Sequence, residues 1–172
     1  IIQKVRGNAD QDWHVFHTGN TSAPETDYLY LNGTGATTDR VESWSDELPD
    51  TTDITLGTSN DGNQSGQNFI MYAWGEVQGF SKFGKYVGNG NADGPFVYTG
   101  FRPAFVMVKR TDSTGGWRII DNKRNSYNGQ YSTLVANTNE ADYTSNDDFG
   151  NTDMLSNGFK LKITYAQVNA SG

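Results

Sequence analysis

Short apolar runs separated by polar, glycine-rich spacers dominate the chain. Runs at 1–5, 13–17, 28–31, 54–56, 69–74, 96–98, 104–109, 117–120, 133–136 and 159–163 are of strand length and are bounded by Gly, Asn, Asp or Pro. That is the pattern of strands in a sandwich or barrel. No window holds apolar residues at i, i+3, i+4 and i+7 over three turns, so almost no helix is expected. The pairs Asn32-Gly33, Asp61-Gly62, Asp93-Gly94, Asn128-Gly129 and Asn157-Gly158 are the expected reversals, since glycine reaches positive φ without a steric penalty.

The pattern occurs twice. Ile1-Ile2-Gln3-Lys4 followed by Trp13-His14-Val15-Phe16-His17 resembles Val106-Met107-Val108-Lys109 followed by Trp117-Arg118-Ile119-Ile120-Asp121. Leu29-Tyr30-Leu31-Asn32 then resembles Leu134-Val135-Ala136-Asn137, Ile54-Thr55-Leu56 resembles Phe159-Lys160-Leu161, and Asn63-Gln64-Ser65-Gly66 resembles Asn169-Ala170-Ser171-Gly172, at an offset near 105 residues. After Gly66 the first copy runs on into Phe69-Ile70-Met71-Tyr72-Ala73-Trp74, which the second copy lacks, and Phe96-Val97-Tyr98 has no counterpart before Ile1. The expectation is two related units, residues 1–83 without an opening strand and 84–172 without a closing one. Such gaps leave unpaired N–H and C=O groups, which invite strands from a longer parent chain or a neighbouring subunit.

Composition supports an ordered β protein. The 172 residues include 20 Gly, well above an ordinary share. Only 34% are hydrophobic, yet 13% are aromatic, too many aromatics for a chain that cannot bury a core. The absence of Cys excludes a disulfide scaffold, a thiolate metal site and a cysteine nucleophile. A formal net charge of -7 repels phosphate backbones, and the pairs Lys109-Arg110 and Lys123-Arg124 are too sparse for a nucleic-acid surface. No run approaches a membrane span, so neither nucleic acid nor membrane insertion is expected.

The segment Asn68-Phe69-Ile70-Met71-Tyr72-Ala73-Trp74-Gly75-Glu76-Val77-Gln78-Gly79-Phe80-Ser81-Lys82-Phe83-Gly84, with Gly94-Pro95-Phe96-Val97-Tyr98-Thr99-Gly100-Phe101-Arg102-Pro103-Ala104 and Asp153-Met154-Leu155-Ser156-Asn157-Gly158-Phe159-Lys160-Leu161, resembles a module recurrent in marine bacteriophage structural proteins. The match covers about residues 65–172 well and the first 60 more loosely. The resemblance implies an antiparallel jelly-roll β-sandwich of the concanavalin A-like type, in two tandem units. It also implies a virion setting, in a tail, a fibre or the outer surface of the particle, with copies of itself or other virion proteins as partners. It carries no functional residues with it.

Candidate chemistry is sparse. The glucanases of that superfamily set carboxylates at alternating strand positions, and this chain has no such run. Glu42, Asp46, Glu47 and Asp50 surround Trp44 in an expected loop, where nothing fixes their spacing. His14 and His17 fall on opposite faces of a strand, which disfavours a shared metal, and no Gly-x-Ser-x-Gly elbow occurs. The chain is therefore read as non-enzymatic. Asn89, Asn91 and Asp93 alternate before Gly94 like the first half of a calcium loop, a candidate for weak Ca²⁺ and otherwise no cofactor. Tyr30, Trp44, Tyr127, Tyr131 and Tyr143 lie near polar loops and are the candidates for stacking on sugar rings. Trp13, Trp117, Phe69, Tyr72 and Trp74 are read as core. The expected function is a non-enzymatic display module with weak, multivalent affinity for host-surface glycans, with a purely architectural, self-assembling subunit as the alternative and a glycan depolymerase as the remote third.

Overall fold

The computed structural model describes residues 1–144 and 151–172. Its chain divides into two compact units, Ile1–Gly75 with Thr111–Thr114, and Glu76–Arg110 with Gly115–Gly172. The division falls before the Phe83/Gly84 position expected from the repeat.

The first unit is one five-stranded sheet. Strands β1 (Ile2–Val5), β2 (His14–Val15) and β3 (Asp27–Tyr30) form an antiparallel meander, β4 (Thr38–Asp39) extends it beyond β3, and β5 (Phe69–Tyr72) closes the other side against β1. Two four-residue helical turns, α1 (Val41–Trp44) and α2 (Asn60–Asn63), interrupt the connection from β4 to β5. Alternation along β1 buries Gln3 and Val5, as period-two patterning requires. The register Gln3↔His14↔Tyr30 then places those three on one face.

The second unit has two three-stranded antiparallel sheets, β7 (Phe105–Val108), β8 (Arg118–Asp121), β9 (Thr133–Val135), and β10 (Thr152–Leu155), β11 (Gly158–Leu161), β6 (Phe96–Tyr98), with a last helical turn α3 (Ala166–Asn169). Val106, Val108 and Ile120 from one sheet and Met154, Phe159 and Leu161 from the other join a single buried cluster. The unit is therefore sandwich-like, as two sheets each apolar on one face should be.

The all-β reading holds, with helix confined to single turns, and most expected strands form. One does not: Ile54–Leu56 pairs with no strand, because the backbone beyond it turns to α1, where Gly57 N–H donates to Ser43 O at 3.0 Å and Ser59 N–H to Glu42 O at 2.7 Å. Its expected equivalent, β11, is held between β10 and β6, and among the described residues the first unit offers Ile54–Leu56 no such flanks. Asp61-Gly62 is not a plain reversal but lies within α2. In the β10–β11 hairpin Leu155 pairs with Gly158, so the turn is Ser156-Asn157. Gly158 is required there for proximity, since a Cβ would sit 2.2 Å from Val97 O of the neighbouring strand.

The two meanders share more than strand order. Trp13 N–H donates to Asn32 Oδ1 at 2.9 Å, as Trp117 N–H does to Asn137 Oδ1 at 2.8 Å. Leu31 N–H donates to Trp13 O at 2.9 Å, as Ala136 N–H does to Trp117 O at 3.0 Å. Asn63 Nδ2 donates to Gly57 O at 2.8 Å, as Asn169 Nδ2 does to Ile163 O at 2.7 Å.

Candidate functional site

A buried polar region lies on the His14 face of the first sheet. β2 contributes His14, wholly buried and opposite Gln3 and Tyr30. α1 ends where Ser45 enters the left-handed region at φ 55, and Trp44 lies against the sheet. Its ring stacks on His14 at 4.8 Å and 15°, and Phe16 meets its edge at 5.5 Å. Arg40 lies over the Tyr28 ring at 4.8 Å and reaches Asp61 Oδ2 at 3.1 Å. Tyr30 OH donates to the same carboxylate at 2.7 Å, and the Ser59 hydroxyl accepts from Arg40.

The electrostatics follow from this packing. Burial pulls the His14 pKa down to about 4, with Asp61 opposing the shift and Arg40 reinforcing it. His14 is thus neutral near pH 7. For Asp61, burial would raise the pKa, but hydrogen bonds from Tyr30 and Arg40 prevail and hold it below the usual carboxylate range. Burial and the bond to Asp61 push the Tyr30 hydroxyl up. Beside this network an open depression of about 430 Å³ is walled by Gln11, Arg40, Glu42, Ser59, Asn60 and Asp61.

At the depression, Asp61 moves away from the raised pKa that a general acid requires. The carboxylates displaced by their surroundings, Asp50, Asp61, Glu76, Asp93 and Asp121, all move toward the ionised form. In the acidic loop, Asp50 Oδ1 accepts from Thr52 and Asp53 N–H, each at 2.7 Å, and Glu47 accepts from Thr55 Oγ1 at 2.6 Å. Asp50 thus closes a turn, and its Oδ1 shares the Thr52 hydroxyl with Asp53 Oδ2.

Of the expected stacking residues, the structure brings Tyr30 and Trp44 together around His14, but inside the fold and not as an open face. Trp44 is 1% exposed and cannot offer a face to a sugar; it is core, because His14 and Phe16 cover its ring. Tyr30 is half-buried with its hydroxyl committed to Asp61. Tyr127 stands 84% exposed, whereas Tyr131 and Tyr143 are half-buried, the latter donating to Glu140. Asn89 Oδ1 accepts from Asn91 N–H at 3.0 Å, Asn91 Oδ1 from Asp93 N–H at 2.9 Å, and Asp93 pairs with Lys160 at 2.7 Å. The alternation read as half a calcium loop is a run of side-chain-capped turns. Among the described residues no group of three or more His, Cys, Asp or Glu is placed to hold a metal, and no helix is long and apolar enough to cross a membrane.

The exposed aromatics lie elsewhere. Tyr72 and Trp74, expected in the core, are 44% and 56% exposed and stack on one another at 5.9 Å. Ile70 precedes them on the same face. In the second unit Phe96, Tyr98 and Phe105 are also exposed. Alternation alone could not reveal this, since both faces of β5 are apolar. The informative signal is that β5, β6 and β7 each end a sheet.

No curated protein and no solved structure matches the chain. A family profile does so over its whole length, residues 1–172, and on that match the chain belongs to the family described as a domain of unknown function, DUF7483.

Proposed function

We propose that the chain is a non-enzymatic structural module of a virion fibre, tail or surface, built from two related units, and that it works by assembling through its open sheet edges. The observation that carries this reading is β7, an edge strand in which all four residues are apolar and Phe105 is 58% exposed. Uncharged apolar edges are association sites. The recurring hydrogen bonds support the two-unit reading, the resemblance to phage structural modules supports the setting, and the sandwich-like second unit is compatible with a jelly roll. Sedimentation velocity over about a hundredfold range of concentration tests it: assembly growing with concentration is expected, and a strict monomer throughout sinks it.

The Tyr72–Trp74 pair favours a second reading, display of an aromatic face to host-surface glycans, since apolar sugar faces pack on exposed rings. Binding on a glycan array that Trp74→Ala abolishes would support it.

A further inference from the structure

We propose that the groove between the 76–82 turn and the end of β6 is a binding site for an uncharged saccharide, with Tyr98 as the ring on which a sugar stacks. The groove lies wholly in the second unit. It is independent of assembly through the sheet edges and of the Tyr72–Trp74 face.

One wall comes from strand alternation. Val97 packs against the buried cluster of the second unit, so Phe96 and Tyr98 point outward and are 44% and 65% exposed. The residue paired with Tyr98 on β11 is Gly158, which has no side chain to cover the ring. Phe96 leans across the same glycine, where a Cβ would sit 2.8 Å from its Cζ. Just past the strand, Gly100 takes φ 84, and a Cβ there would lie 3.6 Å from the Tyr98 hydroxyl. Glycines thus flank the ring where side chains would otherwise crowd it. The other wall is a tight turn: Phe80 and Ser81 N–H each donate to Val77 O at 2.9 Å, and Val77 N–H donates to Ser81 Oγ at 2.9 Å. Its base is pinned by Lys82, which pairs with Glu76 at 2.8 Å, and by Phe83 N–H, which donates to Glu76 Oε1 at 3.2 Å. Between the walls is a cavity of about 410 Å³, lined by Glu76, Gln78, Ser81 and Lys82 on one side and by Tyr98 and Thr99 on the other. That volume is within the range of small-ligand sites, roughly 300–1,000 Å³.

The lining selects the ligand. A sugar ring has an apolar C–H face and a rim of hydroxyls, and so needs an open aromatic ring with hydrogen-bonding groups beside it. Tyr98 supplies the ring, and the exposed Gln78 amide can both donate and accept. The charged residues of the lining, Lys82 and Glu76, are engaged with each other, and Lys82 together with the Phe83 amide holds Glu76 below the usual carboxylate range. A charged ligand would have to break that pair, whereas neutral hydroxyls leave it intact. Phe96, two residues back on the same face and about 7 Å away along the strand, extends the apolar floor. A chain of sugars should therefore bind more tightly than a single one.

The experiment titrates the full chain with uncharged tetrasaccharides of glucose, galactose, mannose and N-acetylglucosamine, each to about 10 mM, and follows the Tyr98 ring and Gln78 side-chain resonances by NMR. Saturable shifts with at least one of them are expected, with a Kd of about 1 mM. That Kd should change by less than about twofold between ~0.1 M and ~1 M sodium chloride, because no charge is engaged. Tyr98→Ala should weaken binding about tenfold, and Gln78→Ala, at an exposed turn position, about fivefold. Tyr98→Phe, which keeps the ring, and Trp74→Ala, in the other unit, should both leave it within about threefold. The proposal is overturned if none of the four sugars shifts Tyr98, if binding is unchanged in Tyr98→Ala and Gln78→Ala, or if a tetrasaccharide of galacturonate binds more tightly than the neutral ones and is released by salt. Binding lost in Trp74→Ala but kept in Tyr98→Ala refutes the groove and favours the Tyr72–Trp74 face; the reverse result favours the groove alone.

Discussion

Acidification should destabilise the first unit through His14. The imidazole is wholly buried, stacked on Trp44, edge-on to Tyr28 and in contact with Gln3, and the charged groups facing it are Asp61 and Arg40. Its pKa falls from 6.5 to about 4, mainly through burial. A folded state that binds a proton less readily than the unfolded one loses stability as pH falls from the unfolded pKa toward the folded one, and is unaffected above it. At 1.36 kcal/mol per tenfold change in proton affinity, the full penalty is about 3 kcal/mol below pH 4, of which about 2 kcal/mol is present by pH 5. The assay is urea denaturation at pH 7 and pH 5 for the wild type and for His14→Phe, which keeps a ring against Trp44 but cannot titrate. The wild type should lose about 2 kcal/mol more than the variant between the two conditions. Equal losses, or an NMR titration placing His14 near 6.5, would refute the argument that burial governs this residue.

Other outcomes follow from the packing. Trp44→Ala should destabilise by about 3–5 kcal/mol, read by urea melts, because it removes a buried ring from the first sheet. Gly158→Ala should lower Tm markedly, since the new Cβ would meet Val97 O at 2.2 Å and force β6 from β11. Calcium at millimolar concentration should shift Tm by less than about 1 °C, because the Asn89 and Asn91 oxygens already accept loop amides; a larger shift in differential scanning fluorimetry would support the calcium reading.

Local pattern made most of the strands legible, and the recurrence of Trp13 and Trp117 marked the strand that follows each of them in the two meanders. What it could not show was exposure. Trp44 follows polar residues in an acidic stretch and reads as a loop aromatic, yet α1 carries it onto His14. Tyr72 and Trp74 sit in the most apolar run of the first unit and read as core, yet β5 ends its sheet. Burial of an aromatic is decided by which strand has a neighbour and which face is covered, and neither is a property of a short window. The calcium-like alternation is ambiguous for a related reason: Asn and Asp oxygens at alternate positions serve a metal or the loop's own amides equally well, and here the Asn89 and Asn91 oxygens accept loop amides.

The recurrence of one asparagine bond in two settings separates framework from environment, and yields a final test. Asn63 and Asn169 make the same bond to a carbonyl six residues earlier, at 2.8 and 2.7 Å. Asn63 is exposed, so water can replace its amide when it is removed. Asn169 is wholly buried and also donates to Asn91 O at 2.8 Å and accepts from Asn89 N–H at 2.8 Å. Removing a partner from a buried polar group incurs its desolvation penalty, whereas at the surface only the small net value of the bond is lost. Asn169→Ala should therefore cost about 2–4 kcal/mol and Asn63→Ala under about 1 kcal/mol in urea melts. If the two variants lose the same amount, the bond itself, and not the surroundings around it, sets the loss.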